Sequence, residues 1–352
     1  MVIRPLRTSE VGALSEFMKQ HFLRDLEVVA RSHEPEYYAW KYFQNPAGRA
    51  AVRVAEEAGR IVGFFGVWPK WMWIQGKRVL SGERGDSFVA PEHHGKGVYS
   101  RLVASVFEEC RDRGLTFTIA SPNERNRPIC VDHYGGHLVF EYKSLVLPLD
   151  FSSILSKRCG RFAAASLVGR PLTALHSGLF QRATTFRLLP LDSSYEEIDA
   201  IWARNRDAYV FSVVKDRAYV EWRYVTNPEA YEIHLVMDGD ESIGFVVFKI
   251  QDILGFRFAH LVDMLLPSKD EGLLKGCIGA VQAHARSRDI DWLSTWAPKG
   301  SPFLRCLKRS GFIGRRKRFN YVVHFLEENI PLPLGRERVK EWNFMQGDTD
   351  NI

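Results

Sequence analysis

Short apolar runs bounded by turn residues alternate along this chain with longer stretches of helical spacing, and the whole alternation occurs twice. "VIRPL" (Val2 to Leu6) and "FRLLPL" (Phe186 to Leu191) each read as a strand. Helical spacing follows each, then two or three strands, among them "GRIVGFFGV" (Gly59 to Val67) and "ESIGFVVFK" (Glu241 to Lys249). A strand ending in Pro91 or Pro267 then enters a helix, predicted over Val98–Arg113 in one case and Leu273–Arg288 in the other. A further strand comes next, "LTFTIAS" or "DWLSTWA". A strand, a four-turn helix and a strand in succession predict a parallel pair joined by a crossover, set in a mixed sheet. The expected fold class is therefore α/β with a mixed α+β sheet.

The duplication is written in the residues themselves. Residues 37–46 read "YYAWKYFQNP" and residues 219–228 read "YVEWRYVTNP", 182 positions apart. Asp86 of "GDSFVAP" finds a counterpart in Asp263 of "VDMLLP". A chain of 352 residues is long for one core, so two copies of one unit fit its length. The expected division is 1–149 for the first copy, 150–183 for a helical linker, 184–328 for the second copy and 329–352 for a tail. The linker is too apolar for a flexible tether, and Gly160, Gly169 and Pro171 are read as its breaks. Trp342 and Phe344 are expected to dock, and the residues after them are not. Because Trp40/Trp222, Tyr42/Tyr224 and Asn45/Asn227 recur in both copies, they read as core and turn residues.

Composition narrows the class. Hydrophobic residues make up 45% and charged residues 26%, as in an ordinary globular protein. The net charge of +6 leaves open an anionic partner: a phosphorylated small molecule, nucleic acid or an acidic membrane surface. The densest basic run, "GRRKR" (Gly314 to Arg318), reads as a solvated turn before a strand. Five cysteines without a C-x-x-C spacing argue against a disulfide framework and a zinc site, and for a reducing, cytoplasmic setting. No metal is expected, and no apolar run is long enough to span a bilayer.

The chemistry gathers in "VAPEHHGKGVYSRLV" (Val89 to Val103). Gly95 and Gly97 stand just before a helix, where amide groups lack partners within it. Glycine admits unusual dihedrals and close approach, and the helix dipole favours negative charge there. A phosphate or pyrophosphate is the expected ligand, with Lys96 and Arg101 adding charge at the rim. The pattern is neither a P-loop nor a dinucleotide-binding turn.

In the register His94-Gly95-Lys96-Gly97-Val98-Tyr99, this stretch resembles motif A of the GCN5-related N-acetyltransferase (GNAT) superfamily, [Q/R]-x-x-G-x-[G/A]. Gly97 matches; His94 stands for the usual Gln or Arg, and Tyr99 for a small residue. "SPNERNRPICVDHYGGHLVF" (Ser121 to Phe140) resembles the segment that follows in the family. The layout is similar to bacterial tandem members, which implies two GNAT-like domains, the second degenerate. Acetyl-CoA or another acyl-CoA is the implied cofactor. Its arm is implied to meet the backbone of Phe88, Val89 and Ala90 in a split between "DSFVA" and "TFTIA". Its pyrophosphate is implied to meet the amides of Gly95 to Ser100, with Asn126 nearby. The resemblance also implies Tyr134 as the acid that protonates the departing sulfur. Tyr99 is bulky, so its ring must point away from the cradle or the loop must shift.

In the second copy the equivalent turn is "PSKDEGLLKG" (Pro267 to Gly276). Gly272 aligns with Gly97, but Asp270 and Glu271 precede it and would repel a pyrophosphate, so one ligand site per chain is expected. Glu83, Asp86 and a chain of waters stay open as the general base, and Asp86 can equally be structural. The expected activity is acyl transfer from a thioester to a small amine, an amino sugar being one candidate. Aminoacyl-tRNA-dependent transfer and non-catalytic acyl-CoA binding are the alternatives. Nucleic acid is the less expected partner, and monomer and homodimer both stay open.

Overall fold

Alternating Val, Ile and aromatic residues pair into a single 13-stranded sheet in this computed structural model. The structure describes residues 1–22, 33–124, 126–159, 163–181, 183–268, 270–327, 332 and 335–349. The first unit runs β1 (Val2–Pro5), α1 (Val11–Phe22), α2 (Pro35–Phe43), β2 (Ala51–Glu57), β3 (Arg60–Ile74), β4 (Lys77–Val89), α3 (Val98–Asp112), β5 (Phe117–Ala120) and β6 (His137–Pro148). A hairpin of α4 (Phe151–Cys159) and α5 (Ala163–Phe180) follows. The second unit runs β7 (Arg187–Pro190), α6 (Glu196–Asn205), β8 (Phe211–Val213), α7 (Arg217–Val220), β9 (Glu232–Asp238), β10 (Glu241–Ile253), β11 (Phe256–Leu265), α8 (Glu271–Arg286), β12 (Trp292–Pro298), α9 (Pro302–Arg309) and β13 (Ile313–Phe325).

The strand order is β1-β2-β3-β4-β5-β13-β6-β12-β11-β10-β9-β7, with β8 added beside β3. β4 and β5 are parallel, as are β11 and β12, each pair joined through its crossover helix. The centre holds an exchange. β13 pairs with β5 of the first unit, Val322 opposite Ala120, while β6 pairs with β12 of the second, Leu147 opposite Leu293. Each unit closes its sheet with the other's last strand, and β13 also lies against β6.

α3 shows how the sequence makes these elements. Val98, Leu102, Val103, Val106, Phe107 and Cys110 form one apolar stripe, and all are buried. The stripe faces Phe65, Val67 and Val89. Burying a side chain such as Leu102 or Phe107 contributes roughly 1.5–3 kcal/mol. Gly114, with φ +74°, ends the helix. Its N–H bonds Arg111 O at 2.8 Å and that of Leu115 bonds Cys110 O at 2.9 Å, a left-handed cap that a β-branched residue would strain. α8 and α9 cover the same relation in the second unit. The opposite core is rich in aromatic residues and joins both units, with Trp40, Trp68, Tyr142, Trp222, Tyr321, Trp342 and Phe344 among its members.

Three expectations need correction. Gly169 and Pro171 lie inside α5 and do not break it; a Cβ at Gly169 would come 2.4 Å from Ser152 Cα, so glycine lets the hairpin close. Gly160 lies outside the described residues. The run Gly314 to Arg318 is a bulge within β13, marked by the register shift between Gly314 and Arg318, and not a turn before the strand. The tail beyond Phe344 also docks: Gln346, Asp348 and Thr349 are buried, with Arg223 donating to Gly347 O and Thr349 O at 3.2 and 2.9 Å.

Candidate acyl-donor site

The parallel pairing of β4 with β5 ends at Arg84 opposite Ala120, yet β4 continues to Val89 beside β3. The two strands therefore part, and a split opens where the sequence places one. Asp86, with φ +41°, is the extra residue of a bulge at that point, since Phe65 faces Ser87 while Gly66 faces Gly85. Ala90 N–H bonds Val62 O at 2.9 Å. Bonding groups alternate in an antiparallel ladder, so Phe88 and Ala90 turn their backbone groups toward β3, and Ser87 and Val89 turn theirs toward the split. This corrects the expectation for Phe88 and Ala90. His94 Nε2 lies 2.9 Å from Val89 O and tethers the loop to the strand.

At the mouth of the split the chain turns through Gly95 (φ +74°) and Gly97 (φ +69°) into α3. Gly97 is the N-cap, and no side chain among the described residues caps the helix. A Cβ built on either glycine meets nothing within 4 Å, so the cradle is open. Lys96 is exposed and Val98 is buried; Arg101 is also exposed. The ring of Tyr99 packs edge-on to Phe65 and Tyr134, at 5.8 and 5.9 Å between centroids, with its hydroxyl 3.4 Å from Ser87 Oγ. It turns onto the sheet and leaves the glycines clear.

Tyr134 donates to Ser100 Oγ at 3.4 Å, which brings it to the first turn of α3. Asn126 is exposed, its backbone closing a turn on Asn123. Glu83 is placed differently from a solvent-facing base. It is fully buried with Lys70, 3.1 Å away, and Lys70 also donates to Asp348 O at 2.6 Å. Asp86 accepts from Lys41 Nζ at 2.5 Å and Tyr42 OH at 3.1 Å. Asp263 repeats the arrangement with Tyr224 OH at 2.7 Å and with Lys215. That repetition in both units gives Asp86 a structural role.

One residue of the split was not singled out from sequence. The Nε and Nη2 of Arg84 are sealed from solvent and have no hydrogen-bond partner among the described residues. Burial lowers its pKa, while Cys130, Tyr99, Glu83 and Tyr134 act in the opposite direction. Its guanidinium stands 5.9 Å over Phe107. An arginine among 48 basic residues carries no sequence mark of such a position.

The second unit differs where the first is open. Asp270 is the N-cap of α8, and its Oδ1 accepts from Gly272 N at 2.7 Å and Leu273 N at 3.2 Å. The helix N-terminus already holds a carboxylate, and Gly272 sits inside the helix instead of at its cap. Glu271 turns to Arg309, 2.8 Å away. Met264 O accepts from Asn343 Nδ2 at 3.1 Å, so the tail reaches the edge of β11. A cavity of about 530 Å³ is lined by Pro190–Asp192, Tyr195, Tyr224, Val225 and Asn227–His234, and includes no residue of the α3 turn.

A strand split, a bulged β4 and an uncapped helix behind paired glycines define an acyltransferase architecture of the GNAT type. Residues 2–129 match the acetyltransferase (GNAT) domain family. The amino-terminal unit is a GNAT acetyltransferase domain, and the chain is an N-acyltransferase with a tandem GNAT fold. A GCN5-related N-acetyltransferase from Anabaena variabilis ATCC 29413 is similar, with 13% identity, TM-score 0.64 and coverage of 93% of this chain and 73% of that one. Saccharomyces cerevisiae N-myristoyltransferase, solved with myristoyl-CoA, is similar over 97% of this chain and 89% of its own, with 10% identity and TM-score 0.64. A conserved protein from Enterococcus faecalis V583 described as a probable N-acyltransferase gives 10% identity, TM-score 0.63 and coverage of 93% and 73%. No curated protein matches in sequence.

Proposed function

We propose that the protein transfers an acetyl group from acetyl-CoA to a small primary amine, with amino sugars the first acceptors to test. Residues 1–149 are proposed as the donor-binding unit and 184–328 as a second unit that binds no donor. The observation that carries this reading is the contrast between the two helix starts. α3 presents uncapped amides behind open left-handed glycines, whereas Asp270 fills the same place on α8.

The residues fit the donor. The amides at Val98 to Ser100 and the charge of Lys96 suit a diphosphate. The N–H groups of Ser87 and Val89 face the split and offer donors to a pantetheine amide or to the oxygen of a reacting carbonyl. A bound thioester supplies an acyl carbon activated toward nitrogen. The amine must lose a proton and the departing sulfur must gain one. Tyr134 is proposed as the donor of the second proton. Glu83 lies too deep to touch an amine, so we assign the first proton to solvent.

Titration of the protein with acetyl-CoA tests the reading, with one site per chain expected. Two equal sites, or none, would overturn it. Thiol release across a panel of amines and acyl-chain lengths then identifies the acceptor and the acyl group.

A further inference from the structure

The α4–α5 hairpin is amphipathic in the inverted sense. α5 turns its small and polar side inward: Gly169 lies against Ser152, Thr173 Oγ1 accepts from Phe151 N at 2.9 Å, and His176 packs on Phe151 and Phe180. Its aliphatic side faces outward. Leu167 is 74% exposed, Leu175 61% and Leu179 60%, with Val168 and Leu172 beside them. A surface helix of a water-soluble domain shows the reverse pattern.

The charge of the same segment is one-sided. Residues 151–191 hold six Lys or Arg and no Asp or Glu, which equals the +6 excess of the whole chain. Lys157 is paired with Asp291 at 2.5 Å, and Arg187 lies 4.0 Å from Asp240. Arg158 and Arg170 are exposed, with no ion pair among the described residues. No described helix is long and apolar enough to cross a membrane. At 18 residues α5 is about 27 Å long and suits lying along a surface.

We propose that the leucine face of α5 docks on an acidic phospholipid bilayer, with its axis in the plane of the headgroups. Leu167, Leu172, Leu175 and Leu179 enter the acyl boundary while Arg158 and Arg170 meet lipid phosphates. The charge distribution selects this occupant over a second copy of the chain. A symmetric contact would set two basic, acid-free hairpins against each other, and an anionic surface complements both.

Vesicle flotation tests the proposal. The intact protein should float with vesicles of equal parts phosphatidylcholine and phosphatidylglycerol, and at least about tenfold less with phosphatidylcholine alone. Retention should fall as salt rises. The combined variant Leu172→Ser, Leu175→Ser, Leu179→Ser should lose retention by about tenfold or more, with an unchanged or higher unfolding midpoint because these side chains are exposed. Arg158→Gln with Arg170→Gln should weaken binding to acidic vesicles selectively. Absent flotation, or equal flotation on both vesicles, would overturn the proposal. So would a concentration-dependent dimer that the serine variant dissolves, since that result would place a second copy on the face.

Discussion

Trp40 and Trp222 hold each other reciprocally across the two units. Trp40 Nε1 donates to Trp222 O at 2.8 Å, and Trp222 Nε1 donates to Trp40 O at 3.4 Å. Their rings stack at 4.7 Å with 15° between planes. Residues at equivalent places in a duplicated sequence thus meet at the internal two-fold relation. Each saturates a carbonyl of the other, so the contact fixes how the units face.

Trp222→Ala should destabilise the fold by about 3–5 kcal/mol. Trp40→Phe keeps most of the stacking but removes one of two side-chain donors to Trp222 O, leaving Thr226 Oγ1 at 3.2 Å, at a cost of about 0.5–1.5 kcal/mol. Urea denaturation of both single variants and the double variant should give a non-additive cycle; full additivity would show that the rings are not coupled.

The glycine cradle makes a paired prediction. Gly97→Val forces a β-branched residue to φ +69° and should weaken acetyl-CoA binding by at least about tenfold. Asp270→Ala should leave acetyl-CoA binding alone and cost about 1 kcal/mol of stability through the lost cap. Calorimetric titration and thermal unfolding separate the two, and reduced acetyl-CoA affinity in Asp270→Ala would contradict the assignment of sites.

Arg84→Met separates ligand binding from stability. A buried guanidinium whose Nε and Nη2 find no hydrogen-bond partner among the described residues adds little to folding, so a methionine of similar length should leave stability unchanged or raise it by about 1 kcal/mol or more. Donor or acceptor affinity should fall by about tenfold. A variant that binds both substrates normally would leave Arg84 without a role in the site.

Glu83 and Tyr134 should part company in kinetics. Glu83→Ala leaves Lys70 charged and buried, and should destabilise by about 3–5 kcal/mol. Tyr134→Phe should keep stability and lower kcat by about a hundredfold. A Tyr134→Phe enzyme with the same kcat would remove it as the proton donor.

Stability should fall as the medium is acidified from about pH 7 to about pH 5. Burial, aided by the His284 charge, lowers His234 from 6.5 to about 4. Burial with Lys249 lowers His260 to about 4, and burial with Arg84 does the same for His324. Between these values the unfolded chain binds more protons, so stability is present above 6.5 and lost toward 4. The slope is at most about 1.4 kcal/mol per pH unit for each group. Urea midpoints at the two pH values should differ less in His234→Phe, and an undiminished difference would exclude His234 as a contributor.

The chain by itself determined the duplication, the order of elements and the glycine turn, because these rest on local signals. The Tyr-Trp-Tyr-Asn-Pro repeat, the stripe from Val98 to Cys110 and the two glycines before α3 are each legible within a dozen residues. The contrast between Gly97 and Asp270 was legible as charge, since carboxylates before a helix repel a diphosphate, whereas the capping of α8 by Asp270 through Gly272 and Leu273 was seen only in the structure. What only tertiary structure decided is non-local. The edge of β5 accepts any strand with suitable alternation, so nothing near Phe117–Ala120 announces that β13 will fill it and displace β6 to β12. Glu83 resembled a base until Lys70 and the tail closed over it. Gly169 and Pro171 resembled breaks until the contact with Ser152 fixed the hairpin, and Arg84 became notable only when folding sealed its Nε and Nη2 from solvent.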